Sequence, residues 1–317
     1  MKEANIFKVF IIIFFSAMGG MLYGYDISII GGALPFIKLE LGITATQESW
    51  LGGSVLFGGA FAILIGGVLA DIFGRKNVII LSGLIFIASV FMIYYAKSHD
   101  FLLVSRLVQG IAVGFISITS PLYLTESVPS LIRGLAVTCF QLFLTAGILI
   151  STAISLLFIT KNPNTGIEHG DWRAMFLTAL IPGLIVFIGG LFLIKSPRWL
   201  IMKNKEQEAE KILVETIGIK AAKEQMNEVK QLIAKTKNEG SLLSSLAKRH
   251  YLIPILIVFA VAILTQMTGI NSILQYASTM LKQTGLGSVY TAVIGIGGVV
   301  YHWDKFFNNS SSCHNSR

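Results

Sequence analysis

The chain has 317 residues, of which 54% are hydrophobic and only 13% are charged. This balance excludes an ordinary soluble domain and predicts an all-α polytopic membrane protein, because the apolar runs are continuous rather than alternating as in a strand barrel. Much of the net charge of +8 lies in the polar segment 195–249, so it indicates membrane topology rather than nucleic-acid binding. The two cysteines, Cys139 and Cys313, are too few for a disulfide or metal framework.

Eight apolar runs follow one another along the chain. Their approximate bounds are 6–37, 48–70, 77–97, 101–125, 134–160, 173–194, 250–282 and 288–301. A helix needs about 20 residues to cross a hydrocarbon core, so the first seven runs are long enough to span a membrane. The eighth is only about 20 Å long at a helical rise of 1.5 Å per residue, which is too short. The first run has no small-residue cleavage site, so it predicts a membrane helix rather than a signal peptide.

The spacing of these runs divides the chain into four segments. Residues 1–194 predict a six-helix transmembrane bundle, and residues 195–249 predict a cytoplasmic linker with short amphipathic helices. Residues 250–301 predict an incomplete second bundle, with a seventh helix and part of an eighth. Residues 302–317 form a polar tail that is unlike the rest of the chain.

The linker helices are predicted from two apolar faces. One face contains Met226, Val229, Leu232 and Ile233, and the other contains Ala209, Ile212 and Leu213. We interpret the charged faces of these helices as solvated and without partners. The basic residues of the short loops favour a cytoplasmic N-terminus.

Two ionisable residues lie inside apolar runs. Asp26 lies in the first run and Arg106 in the fourth, and the opposite directions of these helices place both in the outer part of the membrane. A charge at this depth costs at least about 2.5–3.5 kcal/mol, so each residue needs a partner, and the simplest partner is the other one. A static pair that fixes packing is one alternative. A proton-carrying pair is favoured, because burial disfavours an ionised carboxylate whereas a guanidinium favours it.

Polar side chains also interrupt the fifth and seventh apolar runs. They are Gln141 in the fifth run and Thr265, Gln266, Asn271, Gln275 and Tyr276 in the seventh. Gly269 interrupts the seventh helix, and broken helices line the midplane sites of transporters. One amide alone can stabilise helix packing, whereas the cluster predicts contact with a ligand.

Several sequence motifs occur in a fixed order. They are GYD at 24–26, GGVLADIFGRK at 66–76, RLVQG at 106–110, PLYLTESVPSLIRG at 121–134, DWRAMF at 171–176, SPRWL at 196–200 and TQMTGIN at 265–271. In this order and spacing the chain resembles the sugar porter family of the major facilitator superfamily, and especially its bacterial sugar–proton symporters. The resemblance extends to about residue 298.

The resemblance implies a major facilitator fold, with a complete N-terminal six-helix bundle and one to two helices of the C-terminal bundle. It implies proton-coupled transport of a hexose or pentose by alternating access, in the inner cell membrane, with a monosaccharide, a proton and the lipid bilayer as partners. Asp26 and Arg106 match the coupling pair, and Gln141, Gln266 and Asn271 match sugar-binding positions. The inner ion pairs are matched by Asp71, Arg75, Glu126, Arg133 and Arg198. No cofactor, metal, catalytic residue, enzyme activity or nucleic acid is expected.

Two departures and several alternatives accompany this resemblance. Lys195 stands where the family usually has Glu, and Thr265 where it often has Gln. The short second bundle leads us to expect a C-terminally truncated chain that does not transport, because alternating access needs both bundles. The alternatives are a non-transporting product or interaction fragment, a polyol or inositol carrier, and an uncoupled sugar facilitator.

Overall fold

The computed structural model describes residues 5–161, 168–238 and 249–276, except residues 270 and 274. The first five helices are α1 Ile6–Leu41, α2 Ala45–Phe73, α3 Arg75–Tyr94, α4 His99–Ser127 and α5 Arg133–Leu157, with a 3₁₀ turn at Ser130–Ile132 before α5. Each of the five is long and apolar enough to cross a membrane. The all-α prediction for this part of the chain is therefore confirmed.

Capping residues account for where the first two helices begin and end. Gly42 ends α1 with a left-handed φ of 61°, a conformation that glycine adopts without steric cost. Thr44 then caps α2 in a reciprocal capping box with Gln47. Gly74, with φ of 89°, separates α2 from α3 within the charged motif GGVLADIFGRK at 66–76. α2 and α3 therefore form a helical hairpin with its connection at this motif.

The sixth span is made of two pieces, α6 Trp172–Thr178 and α7 Leu180–Phe192. Pro182 lacks a backbone N–H, so the helix cannot form the usual hydrogen bond back to the carbonyl of Thr178. Between α5 and α6 lies a short antiparallel hairpin of β1 Ile159–Lys161 and β2 Glu168–Gly170. This hairpin was not predicted from the sequence, because each of its strands has only three residues and the hairpin follows a long apolar run.

Glycines set the distance between paired helices. A Cβ on Gly24 of α1 would collide with the backbone carbonyl of Leu144 on α5, and a Cβ on Gly110 of α4 would collide with that of Val55 on α2. Gly66 allows a similar close approach of α2 and α4, since a Cβ there would lie 3.2 Å from the side chain of Ile118. α1 therefore packs directly on α5, and α2 on α4.

Residues 195–238 of the linker contain three helices, α8 Pro197–Met202, α9 Glu206–Ile217 and α10 Ile219–Asn238. Leu213 and Met226 are buried in a shared apolar core with Leu200, which confirms the amphipathic prediction. The side chains of Leu232 and Ile233 lie outside the described part of the chain. These helices pack against one end of the bundle, which we call the linker end.

The charged faces of the linker helices have partners, so the interpretation of them as unpartnered is wrong. The pairs include Lys8–Glu215 at 2.9 Å, Lys195–Glu208 at 2.8 Å and Arg133–Glu228 at 3.3 Å. All three pairs reach solvent, so each one alone contributes little to stability. Together they join the linker to α1 and α5 and join its own parts to one another.

The last described helix is α11 Arg249–Met267. Residues 252–267 are exposed along their whole length, so they do not pack on the six-helix bundle. Gly269 has a left-handed φ of 68°, which confirms the predicted interruption, and helical geometry resumes at residues 271–273. The predicted eighth run at 288–301 and the tail at 302–317 lie outside the described residues.

Candidate functional site

The centre of the bundle contains an ion pair between α1 and α4. Nη1 of Arg106 donates a hydrogen bond of 2.9 Å to Oδ1 of Asp26. The two side chains are 1% and 0% exposed, so neither reaches solvent in this structure. The pairing predicted from the sequence is therefore confirmed, although its role in coupling is not tested by this geometry.

Gln109 and Phe176 complete the surroundings of this pair. The second hydrogen on Nη1 of Arg106 is donated to Oε1 of Gln109 at 2.7 Å. The guanidinium lies over the ring of Phe176 on α6, 5.3 Å from its centroid, in a cation–π arrangement. Arg106 is thus held by α1, by α6 and by its own helix.

The group is only partly satisfied by hydrogen bonds. Within the described residues, Oδ2 of Asp26, Nε and Nη2 of Arg106 and Nε2 of Gln109 are buried without a partner. Buried polar atoms of this kind are costly, and they recur where a structure exchanges partners or binds water. The arrangement can therefore stabilise one ionised carboxylate. Its unpaired donors and its unpaired acceptor are available for hydrogen bonds in a different conformation.

A second ion cluster lies at the linker end around Glu126 of α4. Nε of Arg75 lies 2.8 Å from Oε2 of Glu126, and the hydroxyl of Ser196 donates to the same oxygen at 2.6 Å. Arg75 also pairs with Asp71 at 2.7 Å, and Arg198 lies 3.9 Å from Oε1 of Glu126. Four of the five predicted inner charges are therefore brought together.

Arg133 is the predicted inner charge that lies elsewhere, since it pairs with Glu228 of α10. Lys76, next to Arg75 in the sequence, donates to the backbone carbonyl of Leu191 at 2.9 Å. The indole of Trp199 in α8 donates to the carbonyl of Asp71 at 3.1 Å and packs on Gly74. The SPRWL motif thus covers the charged turn between α2 and α3.

The polar residues of the seventh span fall into two groups. Nδ2 of Asn271 donates to Oε1 of Gln266 at 3.1 Å, so these two amides meet across the break at Gly269. The hydroxyl of Tyr276 instead donates to the carbonyl of Ser49 at 3.1 Å, at the start of α2. Gln275 is buried beside Gly52 in the same contact.

The remaining predicted sugar residues do not contact these groups through any hydrogen bond of the described residues. Thr265 is exposed, and its hydroxyl donates to the carbonyl of Val261 within the same helix. Gln141 is exposed on α5, and its carbonyl accepts from Thr145. The roles of all six predicted sugar residues stay predictions.

The sequence analysis missed three contact residues. Gln109 follows Arg106 by three positions, a spacing that places both side chains on one helix face and could have indicated their contact. Ser196 and Phe176 gave no such signal, because their contacts to Glu126 and Arg106 join elements far apart in sequence. Long-range contacts of this kind depend on how the helices pack.

The sequence as a whole matches the family model "Sugar (and other) transporter" over residues 12–303. The chain therefore belongs to this family of membrane transporters. It is 31% identical to the galactose-proton symporter of Escherichia coli K12, with 94% of this chain and 63% of the relative covered. It is 32% identical to the human proton myo-inositol cotransporter, with 88% of this chain and 43% of the relative covered.

The fold is that of the major facilitator superfamily. It matches the solved proton:xylose symporter XylE bound to 6-bromo-6-deoxy-D-glucose with a TM-score of 0.79 and 26% identity, over 92% of this chain and 66% of that one. The resemblance to the sugar porters is therefore confirmed. The chain spans 61–64% of the length of the bacterial relatives that it matches.

Proposed function

We propose that this chain belongs to a proton-coupled monosaccharide transporter, in which Asp26 carries the coupling proton and Arg106 responds to its charge. The observation that carries the proposal is the fully buried Asp26–Arg106 pair between two membrane helices. Buried intramembrane carboxylates mark proton relays by default. The galactose and xylose relatives are named as proton symporters, which supports coupling to a proton and a sugar as substrate.

The physical basis of coupling is a shared conformational equilibrium. An ionised Asp26 must keep Arg106 as its partner, since an unpaired buried charge is strongly unfavourable. A protonated Asp26 releases the guanidinium, and α1 and α4 can then rearrange. If sugar binding favours the same rearranged state, proton and sugar affinities are linked reciprocally.

The sugar site belongs between α5 and the broken seventh span. Gln266 and Asn271 lie together at the Gly269 break, where amides provide donors and acceptors for hydroxyl groups. Gln141 on α5 is exposed and therefore available to a ligand between the bundles. Thr265, Gln275 and Tyr276 are proposed as further contacts from the same span.

The Glu126 cluster is proposed as the inner latch, with the linker end cytoplasmic in an inner membrane and the N-terminus on that side. Its residues Asp71 and Arg198 are half-exposed, so they remain accessible to a partner from the second bundle. A network of this kind can bias a conformational equilibrium, whereas one exposed pair contributes little.

Asp26→Asn tests the proposal because it keeps the size of the side chain and removes its titration. The assay uses the full-length protein carrying these residues in proteoliposomes, with radiolabelled D-xylose, D-galactose and L-arabinose as probes. We expect loss of accumulation under an inward proton gradient and retention of sugar exchange without a gradient. Accumulation at the wild-type level by the variant would place the coupling proton elsewhere.

An inositol or other polyol is the second candidate substrate. The human relative that matches 88% of this chain is named as a proton myo-inositol cotransporter. The proton coupling through Asp26 would be the same for a polyol as for a monosaccharide. Only the hydroxyl groups that Gln266 and Asn271 contact would differ between the two substrates. Competition of unlabelled myo-inositol against the three sugars distinguishes the two candidates.

A further inference from the structure

Gln109 lies in the buried group that also contains Asp26 and Arg106, and the proposed function gives Gln109 no role. Its Oε1 accepts a hydrogen bond of 2.7 Å from Nη1 of Arg106, which is shorter than the 2.9 Å bond from the same nitrogen to Asp26. Because Nη1 carries two hydrogens, both bonds exist together. Gln109 is 0% exposed, so its amide has no water to replace the guanidinium if the contact is lost.

The two acceptors of Arg106 differ in where they are attached. Gln109 lies three residues after Arg106 on α4, so this contact is maintained when α4 moves as a unit. Asp26 lies on α1, so its contact breaks when α1 and α4 separate. Of the titratable groups of the described residues, Arg106 and Tyr23 interact electrostatically with Asp26.

We propose that Gln109 is a positioning residue that retains the Arg106 guanidinium on α4 when Asp26 is neutral. The inference rests on the proposed function, in which Asp26 loses its charge during the cycle. A neutral carboxyl binds a guanidinium less strongly than a carboxylate does, because charge-assisted hydrogen bonds are about twice as strong as neutral ones. Gln109 then becomes the stronger constraint, and the buried cation keeps a defined position while α1 is released.

The proposal predicts that Gln109 and Asp26 contribute to stability in a non-additive way. The variants are Gln109→Met, which keeps the length and removes the acceptor, Asp26→Asn, which imitates the neutral carboxyl, and the combination of both. Melting temperatures are measured on the purified chain in lipid nanodiscs. We expect Gln109→Met to lower the melting temperature about twice as much in the Asp26→Asn background as in the wild type, since coupled residues give non-additive effects.

A rescue variant separates positioning of the guanidinium from simple packing. Combining Asp26→Asn with Gln109→Glu moves the carboxylate from α1 to α4, and we expect this to restore much of the lost melting temperature. A packing role for Gln109 would give no such rescue. If Asp26→Asn does not fold alone, the comparison is between its combinations with Gln109→Glu and with Gln109→Met, and only the first is expected to fold.

Ser151→Ala on α5 is the matched control, since its hydroxyl is also buried without a partner in the described residues. Its effect should be the same with Asp and with Asn at position 26. Additive effects of Gln109→Met, or absence of rescue by Gln109→Glu, would overturn the proposal. The cycle is measured by unfolding and needs no transport, so its failure is distinguishable from failure of the proposed function, which the accumulation assay alone tests.

Discussion

At the scale of single residues, Glu126 is the centre of the linker end. It is buried, and it receives the Arg75 guanidinium, the Ser196 hydroxyl and the more distant Arg198. Arg75 is itself only 3% exposed, and of its two carboxylate partners Glu126 is buried whereas Asp71 is half-exposed. The Arg133–Glu228 pair is different, because both of its side chains reach solvent.

We therefore predict that Glu126→Gln lowers the free energy of unfolding by about 3 kcal/mol, the lower end of the range for breaking a buried pair. The matched control is Glu228→Gln, which should cost less than about 1 kcal/mol because its pair is exposed. Thermal unfolding in detergent, followed by intrinsic fluorescence, measures both. Equal costs for the two variants would show that burial of Glu126 is not the deciding factor.

At the scale of helices, close backbone contact holds α1 on α5. Gly24 lies two residues before Asp26, so the same contact that brings the helices together fixes the position of the Asp26 carboxylate along α1. A Cβ at Gly24 would meet the carbonyl of Leu144, whereas a Cβ at Gly134 would meet nothing within 4 Å.

Gly24→Ala is predicted to destabilise the protein by about 1–3 kcal/mol, because backbone atoms must shift to admit the methyl group. Gly134→Ala, at the start of the same α5, is expected to be neutral or to stabilise by about 0.5–1 kcal/mol through its effect on helix propensity. The comparison is made by melting temperature under identical conditions. Equal destabilisation by both substitutions would contradict a close α1–α5 contact at Gly24.

Docking of α9 is predicted to weaken at acidic pH. Hydrogen bonds from Lys8 and Lys195 lower the pKa of Glu215 and of Glu208 below the ordinary value of 4.5. Because the folded pKa is the lower one, the stabilisation is complete above about pH 4.5 and is lost as the pH falls through the lowered pKa. Both carboxylates are exposed, so the effect is small.

Hydrogen exchange of the α9 amides, expressed as protection factors to remove the intrinsic effect of pH, measures this docking. We expect protection in the wild type to be constant between pH 6 and about pH 4.5 and to fall slightly at lower pH. A variant with both Glu208→Gln and Glu215→Gln should show the slightly reduced protection already at pH 6 and little further change. A wild-type decrease of the same size in that variant would show that other groups cause it.

The elements that the sequence predicts well are those with a long, local signal. The six spans follow from hydrophobic length, and the linker helices follow from their apolar faces. Contacts of the linker charges, such as Lys8 with Glu215, were not predictable because they join residues 207 positions apart. Asp26 and Arg106 are the exception, since an intramembrane charge restricts the choice of partner to very few residues.

At the scale of the whole molecule, α4 contributes a residue to each of two buried charge clusters. Arg106 lies near one end of this helix and Glu126 near the other, so α4 connects the proposed proton site with the proposed inner latch. Beyond α11, the seventh span makes a polar contact with the first bundle, because the hydroxyl of Tyr276 donates to the carbonyl of Ser49 at the start of α2. We therefore propose that movement of α1 relative to α4 affects both the Asp26–Arg106 pair and the Glu126 cluster.

Sugar-driven proton movement tests the central claim most directly. The full-length protein is reconstituted in weakly buffered vesicles, and the external pH is recorded after addition of D-xylose, D-galactose, L-arabinose or myo-inositol. We predict an alkaline shift for at least one of them in the wild type, and no shift for Asp26→Asn although that variant still exchanges the same sugar. An alkaline shift of wild-type size in Asp26→Asn would contradict the assignment of the coupling proton to Asp26.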